Sequence, residues 1–469
     1  MLAALLVRAV LSTKYGDLYW DEMFSFYFGT LPLTEAVQYW FLETNPPFHM
    51  LLLHLWFSFV PQIPEYGRIL SILVGTAGVG AIYYLGTMMS GKKAGVIAVI
   101  ITTFSSIQIE SSILARGYGL FFLLITLSSI WLVKILNTEK PNHRLYWWGG
   151  LTNLLLLMTH LTGVLLPIIQ LITILATTRH RLKDWLWLWI IPGILAALWI
   201  IPSMIVKLQL PSLGAAWFLN IHTTPLKYLT GIGSLVIPDG SVLSIIGFVL
   251  FAVALVLGVK RLRTANVFTN LYLLVWALLP IMTAVAMDVW NIKFYFLALP
   301  AVAILLGSAL ERYNAKIVTV IVATIALCNI YSLTAIMPCL DWTDVRAKLT
   351  QLDPSKSCVV LDEMSINWLT LSRYMPDVNW HVYSPVNKTN NIAANTVLNN
   401  YAFYRRDTEE LVTWWQRSGL QDSSCVVIFA EETKGVNMGG ALQTLGWTKT
   451  AEQSVSLLPI NRLEKYEKR

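Results

Sequence analysis

Long apolar runs separated by short polar turns fill the chain to about residue 336. A helix needs about 20 predominantly apolar residues to cross the hydrocarbon core of a bilayer. Convincing runs lie over 67–89, 94–107, between Arg116 and Lys134, and over 147–159, 162–177, 185–206, 242–259, 271–287, 294–310 and 317–336. With a shortened first helix over Met1 to Leu11, this pattern predicts about eleven spans. Between the first run and residue 67, prolines at 32, 46, 47 and 61 break the apolar sequence. Leu33 to Leu42 and Pro47 to Val60 therefore read as short helices lying in the outer membrane interface rather than crossing it.

After Met337 the pattern changes. Ser357 to Leu361, Trp380 to Tyr383 and Cys425 to Ala430 are short β-branched stretches that read as strands, and Ile366 to Tyr374 and Asn395 to Ser418 read as helical. Strand–helix alternation predicts a small α/β layer. The expected class is an all-α polytopic membrane domain over 1–337, followed by a C-terminal α/β domain over 338–469.

Composition agrees. Only 13% of the residues are charged and 56% are hydrophobic, against roughly 25% charged in soluble domains. The net charge of +7 does not mark a nucleic-acid-binding face, because the basic residues sit in short clusters between apolar runs. Those clusters (92–93, 134–144, 179–183, 260–263, 311–316) fall in alternate loops, which the positive-inside pattern makes cytoplasmic. The opposite loops carry Asp17, Asp21, Glu22, Glu35, Glu43, Glu65, Glu110, Asp239 and Asp288. An odd number of spans puts the N-terminus in the cytoplasm and the C-terminal domain outside. No small-residue cleavage site follows Leu11, and the shortness of the first run points to a start upstream of Met1.

The acidic pair Asp21-Glu22 is the centre of the outer face. It follows the first apolar run and sits among Tyr15, Tyr19, Trp20, Phe24, Phe26, Tyr27 and Phe28, the composition of a membrane–water boundary. A solvated loop with two incidental acids is the alternative. Further along, Arg68, Arg116 and Lys293 fall at outer helix ends, where lipid phosphates lie and where snorkelling to headgroups is the ordinary explanation. Glu110 and His160 also face outward, Glu110 as a second acid, a metal ligand or an ion-pair partner of Arg116. His160 sits at the tip of a tight hairpin, either as a metal ligand or as a hydrogen-bonded helix-end histidine.

In order along the chain, these residues resemble a known family. Asp21-Glu22 after the first span is followed by Asn45-Pro46-Pro47 opening an apolar run, Glu65-Tyr66-Gly67-Arg68 before the next span, and Glu110 with Arg116 and Tyr118. Thr159-His160, Lys293-Phe294-Tyr295 before Pro300, and Asp341-Trp342 complete the series. The order resembles the GT-C membrane glycosyltransferases, in particular the bacterial protein O-mannosyltransferase-like and RgtA/B/C/D-like group that includes the lipid A aminoarabinose transferases. The resemblance covers residues 1 to about 345; the first helix is shorter than the pattern expects.

The resemblance implies a sugar transferase that uses a polyprenyl-phosphate-linked donor and a lipid, glycan or protein acceptor on the outer face. The acid of the first outer loop would be the catalytic one, here Asp21 with Glu22 beside it. Such a transfer needs a carboxylate to take the acceptor's proton and cations to neutralise the leaving phosphate. Asp21 fits the first role, while Lys293, Arg116 and Arg68 fit the second. No cofactor is fixed by the sequence, and a divalent metal at Glu110 and His160 stays open. Two other classes remain: a transporter or lipid flippase, disfavoured by the lack of mid-membrane acids and of an internal repeat, and a non-enzymatic scaffold.

The four cysteines form no metal-ligand spacing. Ser357-Cys358-Val359-Val360 and Ser424-Cys425-Val426-Val427 repeat the same four residues. If both open parallel neighbouring strands in register, Cys358 and Cys425 lie side by side and form a disulfide candidate, with Cys339 as a less favoured partner. Small buried strand residues are the alternative.

Overall fold

The computed structural model describes residues 1–18, 20–43, 45–208, 224–238, 242–262, 266–287, 289, 291–336, 342–352, 358–361, 372, 375–378, 380–382, 408–417, 425–430, 438–457 and 460–468. They fall into two compact units. The first comprises Met1–Lys14, Glu43–Met204 and Phe218–Met337, and the second Tyr15–Leu42, Ile205–Trp217 and Pro338–Arg469.

The first unit is helical: α1 (Leu2–Ser12), α4 (Phe48–Phe57), α5 (Pro64–Ser90), α6 (Lys92–Phe104), α7 (Ser106–Ile113), α8 (Tyr118–Leu136), α9 (His143–Leu157), α10 (Leu165–Thr177), α11 (Leu182–Leu208), α12 (Pro225–Ser234), α13 (Val242–Arg261), α14 (Val267–Ala286), α15 (Ile292–Tyr295), α16 (Leu299–Leu310) and α17 (Ala315–Ile336). Among the described residues, seven helices are long and apolar enough to cross a membrane, or eight when the pair α6–α7, bent by 59°, is taken as one broken span. The other three expected spans are helical where the sequence put them but shorter: α1 has 11 residues, α9 has 15 and α10 has 13. The helix α12 lies where no element was expected.

The break between α6 and α7 was not foreseen, and polar side chains satisfy it. Asn329 of α17 accepts from the Ser106 backbone N–H at 2.8 Å and donates to the Val236 carbonyl at 2.8 Å. Arg8, fully buried in α1, donates to Gln108 and to the Thr103 carbonyl at the end of α6. Backbone groups freed by a break at membrane depth must find partners of this kind. A second uncharged network joins α8, α9, α10, α11 and α14. In it Ser129 meets the Tyr272 hydroxyl at 2.8 Å, Ser128 donates to Asn153 at 2.6 Å, and Trp189 donates to Gln170 at 2.8 Å.

Close backbone approach fixes α16 on α6. A Cβ placed on Gly307 would stand 2.4 Å from the Ala94 carbonyl oxygen and 3.2 Å from the Ala98 nitrogen. Both neighbours are backbone and cannot rotate away. Gly307→Val is therefore expected to destabilise the bundle by about 1–3 kcal/mol, as overpacking does. Thermal unfolding of the detergent-purified variant checks this; an unchanged melting temperature would show that α16 has room to shift.

The basic loops meet one another. Lys93 donates to the Tyr313 carbonyl at 3.1 Å, and Arg261 pairs with Glu311 at 2.9 Å, so loops 92–93, 260–263 and 311–316 converge. Arg181 caps the carboxyl end of α8 through the Ile135 carbonyl at 2.6 Å, which joins loops 134–144 and 179–183. Much of the positive charge that reads as a topology signal thus also caps helix ends.

In the second unit, α2 (Trp20–Thr30) and α3 (Leu33–Leu42) form a hairpin, α3 with the bounds expected from the sequence. Most of its described aromatic residues face inward rather than forming a boundary belt. Phe24, Phe26 and Phe28 are buried, Phe28 packs on Tyr39 at 4.8 Å, and Trp40 donates to the Phe28 carbonyl at 3.3 Å. The rings are hairpin core, because two short helices have little else with which to exclude water.

The C-terminal part holds α18 (Trp342–Gln351) and a mixed five-stranded sheet, order β2-β1-β3-β5-β4. Strands β1 (Cys358–Leu361), β2 (Trp380–Val382) and β3 (Cys425–Ala430) are parallel and lie where the sequence placed strands. The antiparallel hairpin of β4 (Trp447–Leu457) and β5 (Ile460–Lys468) was missed. Cys358 and Cys425 are in-register partners on parallel neighbours, as expected. Their side chains lie outside the described residues, as do Cys339, most of the helix expected over 366–374, and 395–407 of the second expected helix.

Candidate active site

Asp21 and Glu22 occupy the first turn of α2, where the positive end of the helix dipole favours carboxylates. Glu22 is wholly buried, whereas Asp21 is half-buried. The loop that leads into them turns at Gly16, whose φ of 61° a side chain rarely adopts. It is held by α18 of the same unit: the Trp342 backbone N–H donates to Asp17 at 2.9 Å, and its indole donates to the Leu18 carbonyl at 3.4 Å. A short first helix is thus compatible with a firmly held acidic loop.

The first unit gathers a second set of residues. The chain between α7 and α8 is non-helical over 114–117, yet Leu114, Ala115 and Arg116 are buried. Irregular backbone in a membrane bundle is tolerated where protein or a cavity covers it. Arg116 forms an ion pair with Glu43 at 3.5 Å, a partner the sequence did not single out. Its neighbour Gly117 lies against α4, where an added Cβ would stand 3.2 Å from His49 Cβ. Lys293 is placed by Asn291, whose side chain accepts the Lys293 backbone N–H at 3.0 Å and so starts α15. Its Nζ stands 5.8 Å from the Tyr118 ring centre.

His160 closes the group. Its ring lies 5.7 Å from Tyr118 and 4.9 Å from Phe121, and its Nδ1 accepts the Thr162 backbone N–H at 3.3 Å. Burial first, then the charges of Arg116 and Lys293, push the imidazole down to about 3, so it is neutral at physiological pH. Of the residues read from the sequence, Arg116 and Lys293 are therefore close enough to His160 for their charges to lower its imidazole.

The remaining candidates are placed as follows. Arg68 is buried one turn into α5, where Gly67 packs against Ala115; burial removes headgroup snorkelling as its explanation, and likewise for Arg116. Glu110 is exposed on α7. Among the described residues no group of three or more His, Cys, Asp and Glu is arranged to hold a metal ion. Asp239 and Asp288 lie outside the described residues.

No family model and no curated protein sequence matches the chain. Solved structures do. ArnT from Cupriavidus metallidurans bound to undecaprenyl phosphate aligns with a TM-score of 0.62 at 13% identity, over 99% of this chain and 97% of that one. Its apo form gives 0.64 at 13% identity, over 99% and 96%. The fold is GT-C. The archaeal oligosaccharyltransferase AglB from Archaeoglobus fulgidus, in complex with an inhibitory peptide and a dolichol-phosphate, aligns with a TM-score of 0.51 at 12% identity, over 91% of this chain and 69% of that one.

Within the GT-C fold of this chain, sequence reasoning missed Glu43 and His49. Glu43 was counted only among the outer acids. His49 lies two residues after the Asn45-Pro46-Pro47 turn, is 6% exposed, and its Nε2 has no hydrogen-bond partner among the described residues. The proline turn was the available signal, since it aims the first residues of α4 at the 116–118 segment.

Proposed function

We propose that this chain is an integral-membrane glycosyltransferase of a bacterial inner membrane, with its N-terminus in the cytoplasm and its C-terminal domain outside. It moves a sugar from a polyprenyl-phosphate donor to a lipid, glycan or protein acceptor on the outer face. The observation that carries this reading is the gathering of Arg116, Lys293 and the neutral His160 at one end of a GT-C bundle. The undecaprenyl phosphate held by ArnT and the dolichol-phosphate held by AglB supply the donor class.

In the proposed reaction the Asp21 carboxylate takes the proton of an acceptor hydroxyl. The acceptor oxygen attacks the anomeric carbon, and the bond from that carbon to the phosphate oxygen breaks. The electron pair leaves with the polyprenyl phosphate, whose added charge Lys293, Arg116 and Arg68 neutralise. Direct displacement inverts the anomeric centre. Glu22 has no exposed surface, whereas Asp21 is half-buried, which favours Asp21 as the base.

A flippase is the competing reading, and one experiment separates the two. Proteoliposomes carrying a labelled polyprenyl-phosphate sugar are expected to lose the sugar–phosphate bond in the presence of acceptor. Movement of intact donor between leaflets without cleavage would favour the flippase.

Topology is tested separately. A tag after Arg469 is expected to be accessible from outside intact inner membranes, whereas tags at 92–93 or 260–263 are not. A cytoplasmic C-terminus would overturn the placement of Asp21.

A further inference from the structure

One ring nitrogen of His160 is already assigned. Nδ1 accepts the Thr162 backbone N–H at 3.3 Å and lies 2.8 Å from the Thr162 hydroxyl. A backbone N–H can only donate, so Nδ1 is bare, and a neutral imidazole with a bare Nδ1 carries its proton on Nε2. That Nε2–H makes no hydrogen bond to any described residue and is not among the buried unpartnered atoms, so it stays reachable although the residue as a whole is only 7% exposed. A reachable donor with no protein acceptor is free to bond an oxygen that a ligand brings.

The surroundings select the ligand. Arg116, from the α7–α8 junction, and Lys293, from α15, bring positive charge to the ring. Tyr118 and Phe121 of α8 bring ring faces, and His49 of α4 sits against Gly117 with its own Nε2 unpartnered among the described residues. The carboxylate of Glu43 is engaged by Arg116 at 3.5 Å. A guanidinium, an ammonium and an imidazole N–H together suit an anionic oxygen. They do not suit a metal cation. Ligation through Nε2 would require that nitrogen bare, and Nδ1 is held by Thr162.

We propose that His160 is a binding residue that donates a neutral hydrogen bond from Nε2–H to a phosphate oxygen of the donor lipid, with Thr162 fixing the tautomer. The inference rests on the donor class proposed above. It adds a physical reason for histidine at this position. A neutral donor orients the departing polyprenyl phosphate without adding to the positive charge that holds it.

The test uses the full chain in lipid nanodiscs, with undecaprenyl monophosphate as probe and inorganic phosphate as the chain-free comparison. His160→Phe keeps a ring and removes the Nε2–H donor together with the Nδ1 acceptor of the Thr162 N–H. It is expected to weaken undecaprenyl phosphate binding by about 10- to 100-fold, the range for a hydrogen bond to a charged group, while the lost cap on Thr162 lowers the melting temperature only slightly. His160→Gln returns an N–H at a similar reach and is expected to stay within about threefold of wild type. Inorganic phosphate is expected to compete only weakly, because it lacks the chain that enters the membrane.

A second readout needs no variant to fold. In histidine-¹⁵N-labelled wild type, the His160 ring is expected to keep the Nε2–H tautomer from about pH 5 to 8, a window in which an ordinary histidine titrates. Binding by His160→Phe equal to wild type, or a ring protonated on Nδ1, overturns the proposal alone. Wild type that binds inorganic phosphate but no lipid, or that binds neither, overturns it together with the functional reading.

Discussion

Asp21→Asn lowers turnover by about 10²–10⁴-fold, the usual contribution of a general base, with the amount of folded protein unchanged. The substitution keeps size and hydrogen-bonding reach and removes only the ability to accept the acceptor's proton. Asp21 suits this test because it is half-buried in the first turn of α2, where a neutral amide is tolerated. Its neighbour is the internal control. Glu22 is wholly buried, so Glu22→Gln shows its effect mainly in stability, while Asp21→Asn shows it in rate. Steady-state release of sugar from the donor, with melting temperatures alongside, separates the two. Wild-type turnover by Asp21→Asn would remove the proposed base.

Lys293→Met is expected to lower kcat/KM for the donor by about 10²–10³-fold, the range for loss of one group that meets developing charge. Methionine retains the aliphatic stem beside Tyr118, so the lost element is the ammonium. Arg116 is a poorer probe, because its removal also leaves the buried Glu43 carboxylate without that ion pair, and breaking such a pair is destabilising by itself. Donor titration of the Lys293 variant checks the expectation. Unchanged kcat/KM would assign the phosphate to other groups.

Hydropathy placed the helices well because burial in a bilayer leaves few alternatives to a helix, and long apolar runs can serve little else. Where a run was apolar but short, the helix is short as well. α1, α9 and α10 fall below a full span, and the break at Ser105 is invisible because its partners, Arg8 and Asn329, are distant in sequence. The aromatic residues after Asp21 misled for a related reason: composition cannot distinguish a boundary belt from the core of a short hairpin. In the sheet, β1, β2 and β3 were legible as β-branched runs, whereas β4 and β5 are rich in Lys, Glu, Gln and Thr and owe their strand form to pairing with each other.

Candidate chemistry followed the same division. Arg116, His160 and Lys293 could be marked because charge at a helix end in a membrane protein is conspicuous. Glu43 and His49 could not, since their roles depend on the Gly117 turn that brings α4 against the 114–117 segment. The tautomer of His160 depends on a backbone N–H two residues away, a contact that only coordinates reveal.

The central claim is that this chain breaks the bond between a sugar and a polyprenyl phosphate, and the most direct measurement is product release from purified protein. The full chain is incubated with a panel of polyprenyl-phosphate sugars and membrane-extracted acceptors, and free polyprenyl phosphate is quantified. The account predicts release from at least one donor, dependent on acceptor and abolished by Asp21→Asn. Folded protein that binds polyprenyl phosphate yet releases none from any donor, or release that is unaffected by Asp21→Asn, would contradict it.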